Sequence, residues 1–503
     1  MTASRPALKP LPPEAHRVRT WRGDAPLHLV GGAVRDWLLG RTIHDLDFVL
    51  PHGAVDFGRE VARRLRAAFF VLDARRDVAR VILPAAEGRT VRMLDFAAYR
   101  GPDLETDLRR RDFTVNALAV DPAEPLRLVD PTGGLRDLKD RVLRLAYPQA
   151  LHDDPLRVLR AVRLAIVLDF RISPETRAAL PEAAPGLKRV AAERIGEEWF
   201  RLLDHPRVGG GLRVLRRVRA LAFVASELDA LYAFSRPAWE RALRAGGNLH
   251  LLARALAPDY RPEHAANFAL GLVSWRLGRY RRHLAEHWGF TLHPHRPARA
   301  LAVWAALYHS VGQATGADAA HEQAAASARL AAQRARALRL SRAEIRRLRR
   351  TIEHYPYVLA WAESANPPDA RAVHRFFRSA GPAGVDAVLV ALAVALARGD
   401  SLAPSHALWE RLVEVARVVL EAWWERHDQI VAPPPLLRGD EVTALVGRPP
   451  GPWVGRALQA LAEAQAAGEV STREQAETWV REWARTHTSA GENGYQGAPA
   501  GSR

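Results

Sequence analysis

The sequence predicts an α+β protein in which a small head with a mixed sheet is followed by a long, all-helical neck, body and tail. Two observations support this fold class. Between residues 25 and 145, short runs with the alternation typical of strands are separated by turns and helical segments. From about Asp153 onwards, apolar residues recur at spacings of three and four, and the strand patterns disappear. A chain of 503 residues is long enough for about three to five domains.

The predicted elements divide the chain into successive segments. The segments that predict the sheet of the head are LHLVGGAVRDWLLG, HDLDFVL, ARVILP and RTVRMLDFAAY. In the helical part, breaks occur near Pro237, Pro294–Pro297 and Pro433–Pro435, and the apolar run Ala387–Ala397 predicts a buried helix. The expected segments are an N-terminal extension (1–24), the head (25–150), a helical neck (151–236), a helical body (237–398), a C-terminal helical region (399–484) and a polar, Gly-rich tail predicted to be disordered (485–503).

The charge of the chain narrows the class of partner. There are 73 Lys and Arg against 56 Asp and Glu, a net charge of +17, and all but Lys9, Lys139 and Lys188 of the basic residues are arginine. This excess favours a polyanionic partner, nucleic acid first and a membrane surface second, although a solvated basic surface is the alternative.

Composition also excludes several classes of protein. The lack of cysteine excludes a disulfide scaffold, thiol catalysis and cysteine-ligated zinc, and it fits a cytoplasmic protein. The N-terminus has no apolar core of signal-peptide length. No stretch of about 18 uncharged apolar residues occurs, so we expect no membrane-spanning helix and no membrane partner.

A glycine pair, Gly31 and Gly32, lies between a predicted strand and a helix that carries Arg35 and Asp36. Glycines in such a turn let the backbone approach a phosphate, and a helix N-terminus offers free N–H groups. Arg35 would add positive charge. A tight turn without a ligand is the alternative.

A pair of carboxylates, Asp45 and Asp47, begins the next predicted strand. Side chains at i and i+2 of a strand point to the same face, so these two repel each other unless a cation lies between them. Mg²⁺ prefers oxygen ligands and usually takes one or two carboxylates together with substrate phosphates. Asp95, in the predicted strand VRMLDF, is the candidate for a third carboxylate. A solvated strand end is the alternative.

An arginine-rich segment, LRRRDFTVNA, follows at residues 108–117 and includes Arg111 and Asp112. Guanidinium groups bind phosphates, and the Asp and Asn side chains of the segment could bind a ribose by hydrogen bonds. Exposed surface charge is the alternative.

A second charged segment, DDPLRVLRAVR, contains Asp154, Pro155 and Arg157. Proline suits the first turn of a helix, and residues three apart share a helix face. The carboxylate and the guanidinium would together supply the acceptor and donors needed to recognise the edge of a base. A plain intrahelical ion pair is the alternative. Arg160 and Arg163 follow at positions that rotate progressively around the helix.

Taken together, these motifs resemble the class II (bacterial-type) CCA-adding tRNA nucleotidyltransferase and poly(A) polymerase family. The segments that carry the resemblance occur in the family's order between Leu29 and Leu203: LVGGAVRDWLLGRTIHDLDFVL, DLRRRDFTVNALAV, DPTGGLRDLKDRVLR, DDPLRVLRAVRLAIVLDFRIS and ERIGEEWFRLL. The last of these is similar to the family's neck motif, which supports the helix that follows the Asp-x-x-Arg pair. The resemblance implies that residues 25–150 are the catalytic nucleotidyltransferase head.

The resemblance also implies a role for each motif. It implies contacts to the incoming nucleotide by Gly32 and Arg35, binding of catalytic Mg²⁺ by Asp45 and Asp47, and nucleotide and ribose binding by Arg111 and Asp112. It implies that Asp154 and Arg157 act as a protein template that pairs with ATP or CTP, with Arg160 and Arg163 as further nucleotide contacts. The implied reaction is attack of an RNA 3′-hydroxyl on the α-phosphate of a nucleoside triphosphate, assisted by two metal ions. Asp95 is expected to complete the catalytic carboxylates.

The helical body departs from the family pattern. Many relatives carry an HD-type domain, named for a His-Asp metal pair, and here the matching segment WAALYHSVGQATG has His309-Ser310 in place of that pair and Gln313 in place of a lysine. We therefore expect a degenerate HD-like domain that is structural and inactive as a phosphohydrolase. The remaining histidines of the pattern, His321 and His354, are expected in the core or on the surface.

The C-terminal segment, which contains the turn Arg448–Pro452, is similar to the tRNA-binding end of the same enzymes. Its helices are expected to contact an acceptor stem by shape and phosphates, and amphipathic surface helices are the alternative. The implied function is addition of C, C and A to tRNA 3′ ends from CTP and ATP. A CC-adding enzyme, an A-adding enzyme and a poly(A) polymerase are alternatives within the family. A catalytically inactive RNA-binding protein and an HD-type phosphohydrolase are alternatives outside it. The sequence leaves the protein partners of the chain unknown.

Overall fold

The computed structural model describes residues 10–84, 90–123, 125–261, 267–293, 296–317, 319–364, 366–399 and 405–488. The chain divides into two compact units. The first comprises the described parts of Met1–Glu198 together with Arg213–Val224, and the second comprises Trp199–Leu212 together with the described residues from Ala225 onwards. A mixed sheet near the N-terminus is followed by helices, so the predicted fold class is confirmed.

The strands of the described residues lie mainly in the head: β1 (His28–Val30), β2 (Asp45–Leu50), β3 (Ala68–Asp73), β4 (Val78–Ile82), β5 (Met93–Ala98), β6 (Ala119–Asp121), β7 (Arg127–Val129), β8 (Val142–Leu143), β9 (Arg171–Ile172), β10 (Thr291–His293) and β11 (Arg296–Pro297). The helices of the head and of the segment that follows it are α1 (Pro13–Arg22), α2 (Gly32–Leu38), α3 (Ala54–Leu65), α4 (Leu104–Arg109), α5 (Gly134–Asp140), α6 (Ala150–Asp153), α7 (Arg157–Leu168), α8 (Pro174–Ala183), α9 (Ala192–Leu203), α10 (Val208–Arg217), α11 (Leu221–Val224) and α12 (Ser226–Phe234). The later helices are α13 (Arg236–Ala255), α14 (Phe268–Arg276), α15 (Arg281–Gly289), α16 (Ala298–Tyr308), α17 (Ala320–Ala337), α18 (Arg342–Glu363), α19 (Ala370–Ala380), α20 (Ala383–Arg398), α21 (His406–Trp424), α22 (Gly439–Val446), α23 (Pro452–Ala466) and α24 (Arg473–Thr488).

The main sheet has seven strands in the order β3-β4-β5-β2-β1-β6-β7. Only the central pair, β2 and β5, is parallel, and the other neighbours are antiparallel. Two small strand pairs, β8 with β9 and β10 with β11, form separate two-stranded sheets. The neck and body are therefore not entirely helical. Strands of two or three residues are too short to produce a period-two pattern, which is why the sequence did not predict them.

The two faces of the sheet have different environments. Alternation places Leu46 and Phe48 of β2 on the face that also carries Phe96 of β5, and all three are buried. The rings of Phe48 and Phe96 stack with centroids 5.3 Å apart, and Phe57 of α3 meets Phe96 edge-on at 5.5 Å. Helix α3 covers this apolar face. The acidic side chains of β2 and β5 alternate with the apolar ones, so they lie on the opposite face.

Both ends of the chain extend further into regular structure than the sequence suggests. In the segment predicted as an extension, α1 buries Ala15 and Val18, and Arg19 contacts Asp121 of β6 at 2.6 Å. At the other end, residues 485–488 continue α24, and the rest of the predicted tail lies outside the described residues.

The second unit is built around α20. Its residues from Ala383 to Ala397 are all buried, which confirms the buried helix predicted from the run Ala387–Ala397. Helices α13, α16, α18 and α21 pack against it. Among the described residues, no single helix is both long and apolar enough to cross a membrane, and α19 with α20 would be so only as a pair bent by 107°.

A buried ion pair joins three helices of this unit. Asp386 of α20 is 1% exposed and accepts hydrogen bonds from Arg347 of α18 at 2.6 and 3.1 Å, with His287 of α15 at 2.9 Å. Burial alone would raise the pKa of Asp386, but Arg347 and His287 hold it well below its usual range. The carboxylate is thus charged at neutral pH and neutralises the guanidinium.

We expect Asp386→Ala to lower the free energy of unfolding by about 3–5 kcal/mol, because it leaves Arg347 buried and unpaired. Because the folded pKa lies below the unfolded value, this stabilisation is present above about pH 4 and is lost as the pH falls below it. Urea titrations at pH 7 and pH 3 measure both effects. Arg349→Ala, which breaks an exposed pair with Glu353 on the same helix, is the control and is expected to cost no more than about 1 kcal/mol.

Candidate active site

Three carboxylates lie on the face of the sheet opposite to α3. Asp47 of β2 and Asp95 of β5 are direct neighbours in the parallel register, and Asp45 is two residues from Asp47 on the same face. Burial and the charge of Asp95 raise the pKa of Asp47 to about 6, although Arg111 opposes this shift. Negative charge is therefore crowded at this point of the sheet.

Arg80 is part of the same cluster. It lies opposite Asp95 in the antiparallel register of β4 and β5, and its Nε and Nη2 each donate to the Asp95 carboxylate at 2.8 Å. The ion pair occupies both oxygens of Asp95.

The glycine turn approaches these carboxylates closely. Gly31 has φ +71° and ψ −137°, a conformation essentially restricted to glycine. A Cβ on Gly31 would lie 3.1 Å from Arg111 Nη1 and 3.3 Å from Asp47 Oδ2. Gly32 begins α2, and a Cβ there would meet the Arg35 guanidinium at 3.4 Å. The absence of a side chain at Gly31 therefore leaves room for the Arg111 guanidinium and the Asp47 carboxylate beside the turn, a role that the sequence analysis did not assign to it.

Gly31→Ala is expected to lower the predicted nucleotidyltransferase activity by roughly 10²-fold. The added methyl group would displace Arg111 or Asp47, and a displacement of about 1 Å at a reacting centre has an effect of that size. Gly40→Ala is the matched control, since Gly40 also has a positive φ (+68°) but no neighbour within 4 Å of its Cβ position. Both variants should lose about 1–3 kcal/mol of stability from backbone strain. Activity per folded molecule should therefore be lower in Gly31→Ala than in Gly40→Ala. Equal activities of the two variants would contradict the importance of the close contacts at Gly31.

Arg35, Arg111 and Asp112 are fixed by buried partners. Arg35 Nη1 donates to Asn116 Oδ1 at 2.6 Å, and Asn116 Nδ2 donates to Asp112 Oδ1 at 3.0 Å. Arg111 donates to Asp107, which is 1% exposed, at 2.9 and 3.1 Å. The guanidinium groups are thus held in place by their partners.

Asp112 joins the head to the helices that follow it. Arg160 of α7 donates to its Oδ2 at 2.7 and 2.9 Å, and the Phe113 amide donates to its Oδ1 at 2.8 Å. Burial by itself would raise the pKa of Asp112, but Arg160 and the hydrogen bonds hold it well below its usual range. The carboxylate is therefore ionised, and it accepts hydrogen bonds from Arg160, Asn116 and the Phe113 amide.

Glu198 of α9 continues this chain of charges. It is 3% exposed and accepts a hydrogen bond from Arg163 at 2.6 Å, and it lies 3.9 Å from Arg160. Arg160 and Arg163 thus face the same carboxylate in the first unit. The structure brings together the predicted residues Asp112, Arg160 and Arg163 through Glu198, a residue that the sequence analysis did not single out.

Asp154 and Arg157 do not share a helix face, and that expectation is wrong. Asp154 has extended backbone (φ −143°, ψ 95°), and α7 begins only at Arg157. The physical reason is Pro155, because a proline ring disfavours helical conformation in the preceding residue. The two side chains nevertheless lie on either side of one tight turn, in which the Arg157 amide donates to the Asp154 carbonyl at 3.0 Å.

Both side chains of this turn have partners within the first unit. Asp154 Oδ2 accepts from Arg194 of α9 at 2.7 Å. Arg157 is buried and donates to the Tyr147 hydroxyl at 3.0 Å, to the Ala150 carbonyl at 3.1 Å and to the Arg110 carbonyl at 3.2 Å. Tyr147 and Arg194 are thus partners of the two candidate residues that the sequence analysis did not identify.

The donor set limits which metal ions the site could hold. Among the residues that the structure describes, no group of three or more His, Asp or Glu side chains is arranged to hold a metal ion by itself. Asp45 and Asp47 offer two carboxylates in a region of crowded negative charge. This fits Mg²⁺, which typically combines one or two carboxylates with water and substrate phosphates.

Comparisons with known proteins agree with this architecture. Residues 27–144 match the Poly A polymerase head domain family, and residues 169–232 match the family described as the probable RNA and SrmB-binding site of polymerase A. The A-adding tRNA nucleotidyltransferase of Deinococcus radiodurans is 33% identical over 96% of this chain and 99% of its own. The CC-adding tRNA nucleotidyltransferase of Geobacter sulfurreducens is 34% identical over 90% of each chain.

Solved structures show the same fold at lower identity. A CCA-adding enzyme in complex with ATP superimposes with a TM-score of 0.57 at 20% identity, over 93% of this chain and 94% of that one. The Thermotoga maritima CCA-adding enzyme complexed with tRNA gives a TM-score of 0.52 at 21% identity, over 93% and 94%. At these identities the likeness concerns the fold alone.

Proposed function

Because this chain belongs to the class II tRNA nucleotidyltransferase and poly(A) polymerase family, we propose that it adds C, C and A to the 3′ ends of tRNA from CTP and ATP. The observation that supports the chemistry best is the placement of Asp45, Asp47 and Asp95 on one open face of the sheet beside the Gly31 turn. In this reaction the RNA 3′-hydroxyl oxygen bonds to the α-phosphorus, and pyrophosphate leaves.

Asp45 and Asp47 are the proposed ligands of Mg²⁺. Bound magnesium would activate the attacking hydroxyl and neutralise charge on the departing pyrophosphate. Asp95 is held in place on β5 by Arg80. Its negative charge contributes to the raised pKa of Asp47. The crowded negative charge of these carboxylates favours the binding of a divalent cation at the site.

The arginines are the proposed phosphate and ribose contacts. Arg111 donates to Asp107 through Nε and Nη2, which fixes the orientation of its guanidinium. Arg35 is fixed in the same way, because it donates to Asn116 through Nη1 and to Asp36 through Nε and Nη2. Fixed donors that need no reorganisation are the most effective way to stabilise charge that develops during a reaction. Gly32 lets the nucleotide approach the start of α2, and Asp112 with Arg160 and Arg163 supports the ribose side.

Asp154 and Arg157 are the proposed base-recognition pair. Cytosine and adenine both carry an exocyclic amino group, a donor that a carboxylate accepts, whereas uracil and guanine carry a carbonyl oxygen at the equivalent position. A carboxylate at this position would therefore favour cytosine and adenine, the two bases of CCA. The internal partners of the pair, Arg194 and Tyr147, would be exchanged for the base when a nucleotide binds.

A split activity is the second candidate. Three relatives that match this chain over nine-tenths or more of both lengths are A-adding or CC-adding enzymes. The proteins named multifunctional CCA protein match only 46% of this chain. This difference in coverage is the observation that supports a partial activity as the second candidate.

Incorporation into three tRNA transcripts, which end before CCA, after C and after CC, distinguishes these activities. Each transcript is given CTP, ATP, both, or GTP with UTP, in the presence of magnesium. Addition of C, C and A followed by a stop is the expected result. Only two C additions, or only A on the CC-ended transcript, would identify a partial enzyme. Long A tails would identify a poly(A) polymerase, and tRNA binding without incorporation would identify an inactive RNA-binding protein.

A further inference from the structure

An exposed aromatic side chain, Phe70, lies on the same face of the main sheet as the candidate catalytic carboxylates. Phe70 belongs to β3, which is an edge strand of that sheet. It pairs with Arg80 of β4, and Arg80 pairs with Asp95 of β5. Residues opposite each other in neighbouring strands project to the same face, so one row crosses the sheet and contains Phe70, Arg80, Asp95 and Asp47.

The environment of Phe70 is unusual for a large apolar side chain. Phe70 is 50% exposed, whereas Phe69 points to the other face, where the Arg59 guanidinium of α3 lies 5.3 Å from its ring. Ile82 of β4 shares the face of Phe70 and is 40% exposed. Exposed apolar side chains on an edge strand are a liability for aggregation, and proteins generally keep them covered. Phe70 and Ile82 therefore indicate a surface that another molecule covers.

This surface lies on the side from which an RNA 3′ end has to approach. In the proposed reaction the hydroxyl attacks the α-phosphorus in line with the bond to the departing pyrophosphate, so the two groups lie on opposite sides of the phosphorus. The Gly31 turn and Arg111, which are proposed to contact the nucleotide, lie on the β1 side of Asp47. Strands β5, β4 and β3 follow on its other side. The RNA is therefore expected to enter over these three strands.

The position and chemistry of Phe70 suit the last base of that RNA. Phe70 is two strand spacings from Asp95, or roughly 10 Å, so a base whose ribose hydroxyl lies at the carboxylates extends outwards along this row. The last base changes during the reaction, from the base that precedes CCA to a cytosine. A hydrogen-bonding contact would discriminate among these ends, whereas an aromatic ring stacks on any base because every base has a π-face.

The turn that follows β3 adds exposed positive charge. Arg75 and Arg76 are exposed, and Arg76 approaches Asp73 only to 3.7 Å. The carboxylates of the turn bind backbone amides: Asp73 accepts from the amides of Arg75 and Arg76 at 3.0 and 3.1 Å, and Asp77 accepts from the first two amides of α3 at 2.8 and 2.7 Å. Basic groups combined with an exposed aromatic ring are typical of surfaces that bind single-stranded nucleic acid.

We propose that Phe70 stacks on the 3′-terminal base of the RNA that is being extended, and that Ile82 packs against the same nucleotide. Arg75 and Arg76 contact the phosphates that precede it. The stacked base places the terminal ribose so that its 3′-hydroxyl faces the carboxylates of β2. This inference rests on the proposed function and adds to it the surface that holds the acceptor end.

Steady-state incorporation of CTP into tRNA transcripts by the full-length protein tests this contact. Phe70→Ala is expected to lower kcat/KM for the transcript about tenfold, because the loss of stacking on one base has an effect of about that size, and to leave the KM for CTP within about twofold. Phe70→Trp keeps an aromatic ring and should retain the parent kcat/KM. Val71→Ala is the matched control, since Val71 is 44% exposed on the same strand but points to the opposite face. All three variants should keep the parent melting temperature.

A transcript whose 3′-terminal nucleotide lacks its base identifies the partner of the ring. The parent protein should lose about tenfold in kcat/KM on this transcript, and Phe70→Ala should lose nothing further, because both changes remove the same contact. Two losses that multiply would overturn the stacking contact, as would parent kinetics of Phe70→Ala on the intact transcript. A parent protein that incorporates no nucleotide would overturn the proposed function, and this proposal with it.

Discussion

Replacement of Asp45 and Asp47 together by asparagine is expected to lower nucleotide incorporation by at least about 10³-fold, while tRNA affinity changes by no more than about twofold. The amides keep the size and the strand geometry but remove the charge that would hold a divalent ion. A metal ion contributes several kcal/mol to phosphoryl transfer, and each 1.36 kcal/mol corresponds to a factor of ten in rate. Single-turnover incorporation and a filter-binding titration of the same preparations measure the two quantities.

The folded state of this variant is expected to be at least as stable as that of the parent. Burial and neighbouring negative charge raise the pKa of Asp47 to about 6, which means that its ionised form is disfavoured where it stands. Asparagine at this position removes that cost. Asp56→Asn, an exposed carboxylate of α3 in the same domain, is the matched control and should retain full activity. Incorporation at the parent rate by a variant that still binds tRNA would contradict the assignment.

The carboxylates also show what the sequence could and could not predict. The i, i+2 spacing was enough to place Asp45 and Asp47 on one face, and the structure agrees. The neighbour relation between Asp47 and Asp95 depends on the parallel pairing of β2 with β5, which are separated by α3 and two antiparallel strands. Nothing local in the sequence determines that pairing or its register, so Asp95 could only be suggested.

Long-range partners account for most of the residues that were missed. Arg80 pairs with Asp95 across β4 and β5, and Glu198 meets Arg163 from a helix 35 residues further along the chain. Each is an ordinary charged residue in its own segment, and only the fold reveals its partner. Asp154 is different, because the proline that follows it was visible in the sequence. That proline predicts extended backbone, and the sequence analysis gave more weight to its preference for the first turn of a helix.

The second large effect is expected at Asp154. Asp154→Ala should lower the preference for CTP and ATP over UTP and GTP by about 10²-fold or more, since sites built to hydrogen-bond a substrate group reject analogues that lack it by large factors. The ratio of kcat/KM values for the four nucleotides, on transcripts ending before CCA and after CC, measures this preference. Asp154 is a cleaner test than Arg157, because Arg157 is buried on the carbonyls of Ala150 and Arg110 and its removal would disturb the backbone.

Arg194→Ala distinguishes base recognition by Asp154 from a purely structural role of the Asp154–Arg194 pair. This variant removes the guanidinium that binds Asp154 at 2.7 Å but leaves the carboxylate itself in place. If Asp154 recognises the base, the variant should retain its discrimination, and KM should stay the same or fall because the nucleotide no longer competes with an internal partner. If instead the Asp154–Arg194 pair only holds α9 against the turn, both variants should lose activity to the same extent for all four nucleotides. The exposed position of Arg194 makes unfolding an insufficient explanation for either result.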